Sequence, residues 1–240
     1  MNNRLGLIIC GVAFSLAASG SALAADMAVK APPPTPVAPA SIWTGFYVGV
    51  SGGGGWAHSI QTDTLGATSG YYNQSGGIVG GTIGANYQSG LFVLGVEADF
   101  SWTDIDGSVT LPGLCTAGQG TVCFTNMRWL NTDRVRVGAA IGSWMPYITA
   151  GVAGADIKTG QVSCSTPVPG GIASCGTITQ WAPTFGAGLE MMFAPNWSAK
   201  VEWIYTDFGN NHTAYTVFIP VTVSETRVNI VRAGLNYRFW

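Results

Sequence analysis

A histidine beside a serine is the smallest arrangement that could run nucleophilic acyl chemistry, and His58-Ser59 is one such pair. The other histidine, His212, lies near Asp207. A base must reach its nucleophile through a hydrogen bond, and spacing alone brings none of these groups together. No catalytic residue is therefore expected. Glu97, Asp99 and Glu190 are acids of the type that hydrolyse by paired general acid and base. Matched arginines, described below, account for them without catalysis. Zinc needs C-x₂-C spacing with a second such pair or histidine partners. Cys115, Cys123, Cys164 and Cys175 have neither, so no metal or cofactor is expected. Ser51 to Gly55, SGGGG, is followed by no Gly-Lys-Ser/Thr and no helix pattern, so it is not a phosphate loop. Ten basic residues against twelve acidic ones leave no basic patch for nucleic acid.

Only 9 % of the 240 residues are charged, and 34 are glycine. Mean hydropathy is positive, at +0.29. A disordered chain needs the opposite balance. A helical membrane protein needs apolar runs of about 18 residues or more. Only the extreme N-terminus approaches that. A chain this apolar, without such helices, fits a transmembrane β-barrel.

Residues 1–24 read as a secretory signal peptide. Arg4 supplies the positive end, Leu5 to Leu16 the apolar stretch, and Ala22-Leu23-Ala24 the cleavage site. Removing Arg4 leaves nine basic against twelve acidic residues, a net charge of −3. Export leads to an oxidising compartment. The four remaining cysteines allow three pairings, and their grouping favours Cys115–Cys123 and Cys164–Cys175. Residues 25–42 form a spacer whose prolines, in KAPPPTPVAPA, make it extended and semi-rigid. Residues 43–240 carry the barrel.

Period-two alternation predicts eight strands, at 43–57, 75–88, 91–103, 126–142, 146–158, 179–193, 197–208 and 225–240. Gln88-Ser89-Gly90, Gly142 to Pro146 and Ala194-Pro195-Asn196 are short turns of Gly, Pro, Asn and Ser. The other connections, 58–74, 104–125, 159–178 and 209–224, are long. Short and long alternate throughout, as in an up-and-down barrel with periplasmic turns and external loops. All four cysteines fall in the long loops.

Charges share one parity and large apolar groups the other. Glu97 and Asp99 oppose Leu94, Val96, Ala98, Phe100 and Trp102. Arg128, Arg134 and Arg136 oppose Trp129, Val135 and Val137. Glu190 opposes Phe185, Ala187 and Leu189. Lys200 and Glu202 oppose Trp197, Val201 and Trp203, and Arg232 and Arg238 oppose Leu235, Tyr237 and Phe239. Asp133 breaks the pattern, which suggests a site near the outer rim or in a bulge. Successive side chains point to opposite faces. Aromatics at the strand ends of the apolar face suit interfacial girdles, so that face should meet lipid. The charged face then lines a narrow interior, where charges must pair. Glu97, Asp99, Glu190 and Glu202 are expected to pair with Arg134, Arg136, Lys200 and Arg232, with the individual partners left open. Eight strands leave an interior that side chains fill, which argues against a wide pore.

The stretch WAPTFGAGLEMMFAPNWSAKVEWIYTDFG, from Trp181 to Gly209, resembles the signature of small alphaproteobacterial outer-membrane barrels. These are related to the 25- and 31-kDa outer-membrane proteins of Brucella and rhizobia. Trp43 to Gly49 and the RAGLNYRF of Arg232 to Phe239 match as well. The resemblance covers essentially the whole mature chain. It implies an eight-stranded outer-membrane barrel with an architectural role; members are often labelled porin-like. Tyr237, Phe239 and Trp240 would form the terminal signal read by the assembly machinery, although the family usually ends on the position of Phe239. In some related barrels a mature N-terminal Ala-Asp is joined to peptidoglycan, which makes Ala25-Asp26 the candidate attachment point here. Certain other small outer-membrane barrels act on lipid A with His and Ser, but the His58-Ser59 pair alone does not make that case.

The leading expectation is a structural barrel, with lipid, lipopolysaccharide, the assembly machinery and peptidoglycan as partners. The alternatives are a small-solute channel and a loop-borne surface for ligands or host cells.

Overall fold

The computed structural model describes residues 42–63, 68–109, 123–161, 175–209, 213–215 and 220–239. The chain divides into units 1–37 and 38–240, and all of these residues belong to the second. The strands are β1 (Gly45–Asp63), β2 (Thr68–Ser89), β3 (Phe92–Val109), β4 (Cys123–Ala139), β5 (Trp144–Gln161), β6 (Cys175–Ala194), β7 (Trp197–Asp207), β8 (Thr213–Tyr215) and β9 (Pro220–Phe239).

From β1 to β7 each strand pairs antiparallel with the next, β7 pairs with β9, and β9 returns to β1. The three-residue β8 only adds to the outer end of β9. The result is a closed barrel of eight strands. Closure satisfies every ladder internally, which hydrocarbon demands.

The three short turns hold two residues each. Ser89 pairs with Phe92, Ile141 with Trp144, and Ala194 with Trp197. Gly90 and Gly142 lead the first two with φ of 59° and 60°, a left-handed backbone that glycine adopts without strain. In the third, Asn196 exchanges hydrogen bonds of 2.8 Å with the backbone of Arg238, tying the turn to β9.

The long connections are shorter than the alternation suggests. β1 continues to Asp63, β3 to Val109 and β5 to Gln161, while β2 starts at Thr68 and β9 at Pro220. In these outer stretches polar residues and glycine outnumber apolar ones, so the hydrophobic period fades while backbone pairing persists.

The inside-out arrangement holds. Val201 is 56 % exposed and Glu202 beside it 2 %. Outward aliphatics such as Val50, Ile83, Val96, Val135, Ile148 and Val231 form the belt. Phe46, Phe92, Trp144, Phe193 and Phe239 edge it near the turns; Trp102, Trp181 and Trp203 edge it near the loops. Tyr237 packs edge-on against both Trp197 and Phe239, with centroids 5.1 Å apart. Trp240, the last part of the expected terminal signal, lies outside the described residues, as do Ala25 and Asp26.

Two expectations need correction. Arg128 does not share the lumen face of Arg134 and Arg136 but is exposed. Pairing of β4 with β5 jumps between Met127 and Leu130, and this bulge reverses the parity of everything beyond it. Asp133 is at neither the rim nor the bulge. It sits mid-strand and outward, opposite Ala98 and Val152, and accepts a 3.1 Å hydrogen bond from Asn131 Nδ2.

The core is the lumen. Near the turns, Trp43, Val93, Met145 and Tyr147 form an apolar floor. Near the loops, Ala57, Ile78, Ile105, Met127, Leu130, Ile157, Ile204 and Ile230 belong to a second apolar layer. The charged residues lie between them along each strand.

Candidate functional site: the lumen ion-pair network

Glu97 and Asp99 come from β3, Arg134 and Arg136 from β4, Glu190 from β6, Lys200 and Glu202 from β7, and Arg232 from β9. All eight are at most 3 % exposed. Arg134 binds three carboxylates: Glu97 at 2.6 Å, Glu202 at 2.9 Å, and Asp99. Arg136 meets Glu190 at 2.6 Å and Glu97 at 3.4 Å. Lys200 lies 2.9 Å from Glu97 and 3.3 Å from Glu202. Arg232 lies 2.7 Å from Glu202 and 2.8 Å from Asp99.

Two of these contacts join neighbours in register, Glu97 with Arg134 and Glu202 with Arg232. Arg134–Asp99 and Arg136–Glu97 run diagonally between the same adjacent strands, and Lys200–Glu202 lies within β7, whereas the remaining pairs cross the lumen. Arg136–Glu190 joins β4 to β6, Arg134–Glu202 joins β4 to β7, and Lys200–Glu97 joins β7 to β3. Glu190 and Lys200 face each other in register, yet Lys200 turns to Glu97 and Glu202 instead.

Neutral groups complete the network. Tyr47 donates its hydroxyl hydrogen to Glu97 at 2.8 Å, and Arg136 donates to that hydroxyl at 3.0 Å. Thr82 and Thr132 donate to Asp99, and Ser198 and Asn236 to Glu190. The Arg136 guanidinium lies over the Tyr147 ring, 4.1 Å from its centroid. Gly84 and Gly188 make room for these two tyrosines. A Cβ at Gly84 would strike the Tyr47 ring, and one at Gly188 the Tyr147 ring.

Arg238 was legible as a lumen residue but not as part of the floor. Its Nη1 donates to Ile42 O at 2.7 Å, and its guanidinium lies 4.9 Å from the Trp43 ring centroid. Trp43 is fully buried, and its backbone N–H donates to Gln88 Oε1 at 3.0 Å. The chain entering β1 thus closes the floor. The extended pattern at Trp43 gave no signal of this inward turn.

The arrangement holds charge in place, and among the described residues the histidine and serine singled out in the sequence do not meet. His58 and Ser59 point to opposite faces of β1. His58 Nδ1 contacts Asn73 Oδ1 at 2.7 Å, whereas Ser59 is buried with Thr226 and Gln74. Asp207 pairs with Arg227 at 3.3 Å; His212 lies outside the described residues. So do Cys115 and Cys164, and with them both expected disulfides. Cys123 and Cys175 open β4 and β6 on either side of the outer end of β5, paired with Gln161 and Gly160.

Residues 11–239 match the family described as the outer membrane protein beta-barrel domain. The chain belongs to this family. This outer-membrane barrel is 33 % identical to the 31 kDa outer-membrane immunogenic protein of Brucella melitensis, over 91 % of this chain and 94 % of that one. It is 30 % identical to the 25 kDa outer-membrane immunogenic protein of Brucella abortus, over the full length of both. Among solved structures it is similar to Neisserial surface protein A, with a TM-score of 0.43 and 15 % identity over 82 % of this chain and 98 % of that one. The outer-membrane barrel thus has its place in the cell outer membrane, as the resemblance implied.

Proposed function

We propose that this barrel is a structural, non-conducting element of the outer membrane that supports envelope integrity. The observation that carries this reading is the filled lumen: ion pairs tie opposite walls together between two apolar layers. A solute would have to break buried pairs, at about 3–5 kcal/mol for each partner left uncompensated. We further infer that the Pro-rich N-terminal segment joins the barrel to peptidoglycan at Ala25-Asp26. The Ala-Asp pair and the Pro-rich composition of the residues that follow it support that step.

Planar-bilayer recording tests the first part. Flat traces from folded protein are expected, and reproducible ohmic steps would replace this reading with a channel. Muropeptide analysis after lysozyme digestion tests the second. An N-terminal peptide carrying a wall fragment is expected; an N-terminus found only in free form would end the tether.

A further inference from the structure

The bulge that reverses β4 puts Arg128 on the outer wall, next to Trp129 and the aromatic edge of the belt. Trp129 pairs with Trp102 of β3. Just beyond this edge, on the loop side, Thr103, Asp104, Asp106, Asn126, Arg128 and Lys158 help line an outward hollow of about 380 Å³. That lies within the range of small-molecule sites, about 300–1,000 Å³. We propose that the hollow binds the phosphorylated sugar headgroup of a glycolipid in the outer leaflet.

Two features point there. First, Arg128 and Lys158 have no hydrogen-bond or ion-pair partner among the described residues. Every lumen base from Arg134 to Arg232 has a carboxylate, and outward Arg227 has Asp207. Lys158 stands in register with Asn126, two positions from Arg128, so both cations serve one spot. Phosphate is the anion that membrane lipids offer at this depth, and paired cations bind it through charge-assisted hydrogen bonds. Second, the facing wall on β3 is acidic. Asp104 accepts from the Gly77 N–H, and Asp106 lies beside it. Carboxylates repel a second phosphate but accept hydrogen bonds from sugar hydroxyls and amides. A ligand with phosphate at one end and sugar donors at the other satisfies both walls; a simple anionic phospholipid satisfies one.

The hollow is also built rather than incidental. Thr103 Oγ1 donates to Met127 O at 2.6 Å, which pins β4 at the start of the bulge. From there the acyl chains of a bound headgroup would run down over Trp129 and Trp102. The site rests on depth in the membrane and not on the closed lumen, so a conducting barrel would leave it standing.

The test is native mass spectrometry of the full barrel in detergent, titrated with monophosphorylated lipid A, dephosphorylated lipid A and phosphatidylglycerol. One monophosphorylated lipid A per barrel is expected, bound at least about tenfold more tightly than either comparison lipid. Arg128→Gln combined with Lys158→Gln should weaken it by a similar factor, and Asp106→Asn should lose discrimination against phosphatidylglycerol. Heat-modifiable migration checks that each variant is folded. Undiminished binding by the folded double variant would overturn the site. Equal binding of phosphatidylglycerol, or displacement by millimolar inorganic phosphate, would overturn the sugar headgroup as its ligand.

Discussion

Glu190→Gln tests the lumen network at its most exposed dependency. Glu190 is fully buried and receives Arg136 at 2.6 Å, Asn236 at 3.0 Å and the Ser198 hydroxyl. It is also the carboxylate nearest Arg238, at 3.8 Å. Without its charge, Arg136 keeps only Glu97, at 3.4 Å, and Arg238 keeps none. The described lumen already holds five bases, Arg134, Arg136, Lys200, Arg232 and Arg238, against four acids. Glutamine preserves shape and volume, so the effect is electrostatic. Stranding a buried partner costs about 3–5 kcal/mol. With an m-value of about 2 kcal/mol/M, the urea midpoint should fall by about 1.5–2.5 M. The assay is urea unfolding in detergent or vesicles, followed by heat-modifiable gel migration. Adding Arg136→Met removes the stranded cation, so the double variant should recover more than half of the loss. A single variant within about 0.3 M of the parent, or strictly additive double-variant losses, would refute the reasoning.

Gly84→Ala should lower stability by about 1–3 kcal/mol because the new methyl meets the Tyr47 ring, whereas Gly81→Ala, with only Gly49 O at 3.8 Å, should stay within about 0.5 kcal/mol; the same unfolding assay separates them. Val201→Arg, on the lipid face, should cost about 2–4 kcal/mol in vesicles if placed near the bilayer midplane, and less in a detergent micelle that lets the side chain reach water. Trp43→Ala should cost about 3–5 kcal/mol and leave bilayer traces flat, because the ion pairs above the floor still span the lumen; steady conductance from this variant would show that Trp43 is the only seal.

Some of this was legible because it is local. Strand parity needs only neighbouring residues, and it correctly put Glu97, Glu190 and Glu202 inside and Val96 and Val201 outside. Turn chemistry located three two-residue turns. Parity reasoning failed at Arg128 because a bulge adds one residue without a composition signal, and a single added residue reverses the face. It failed at the outer strand ends because apolar residues there are too sparse to mark the period of a strand.

By itself, then, the amino-acid order determined an antiparallel barrel with a greasy exterior and charged lining, since alternation is a property of two adjacent residues. Only the closed tertiary structure decided that Lys200 passes over its register neighbour Glu190 for Glu97, that Arg136 reaches across to Glu190, and that Trp43 turns in to seal the floor. Those contacts depend on the tilt and stagger with which eight strands close, and no short stretch of sequence encodes that geometry.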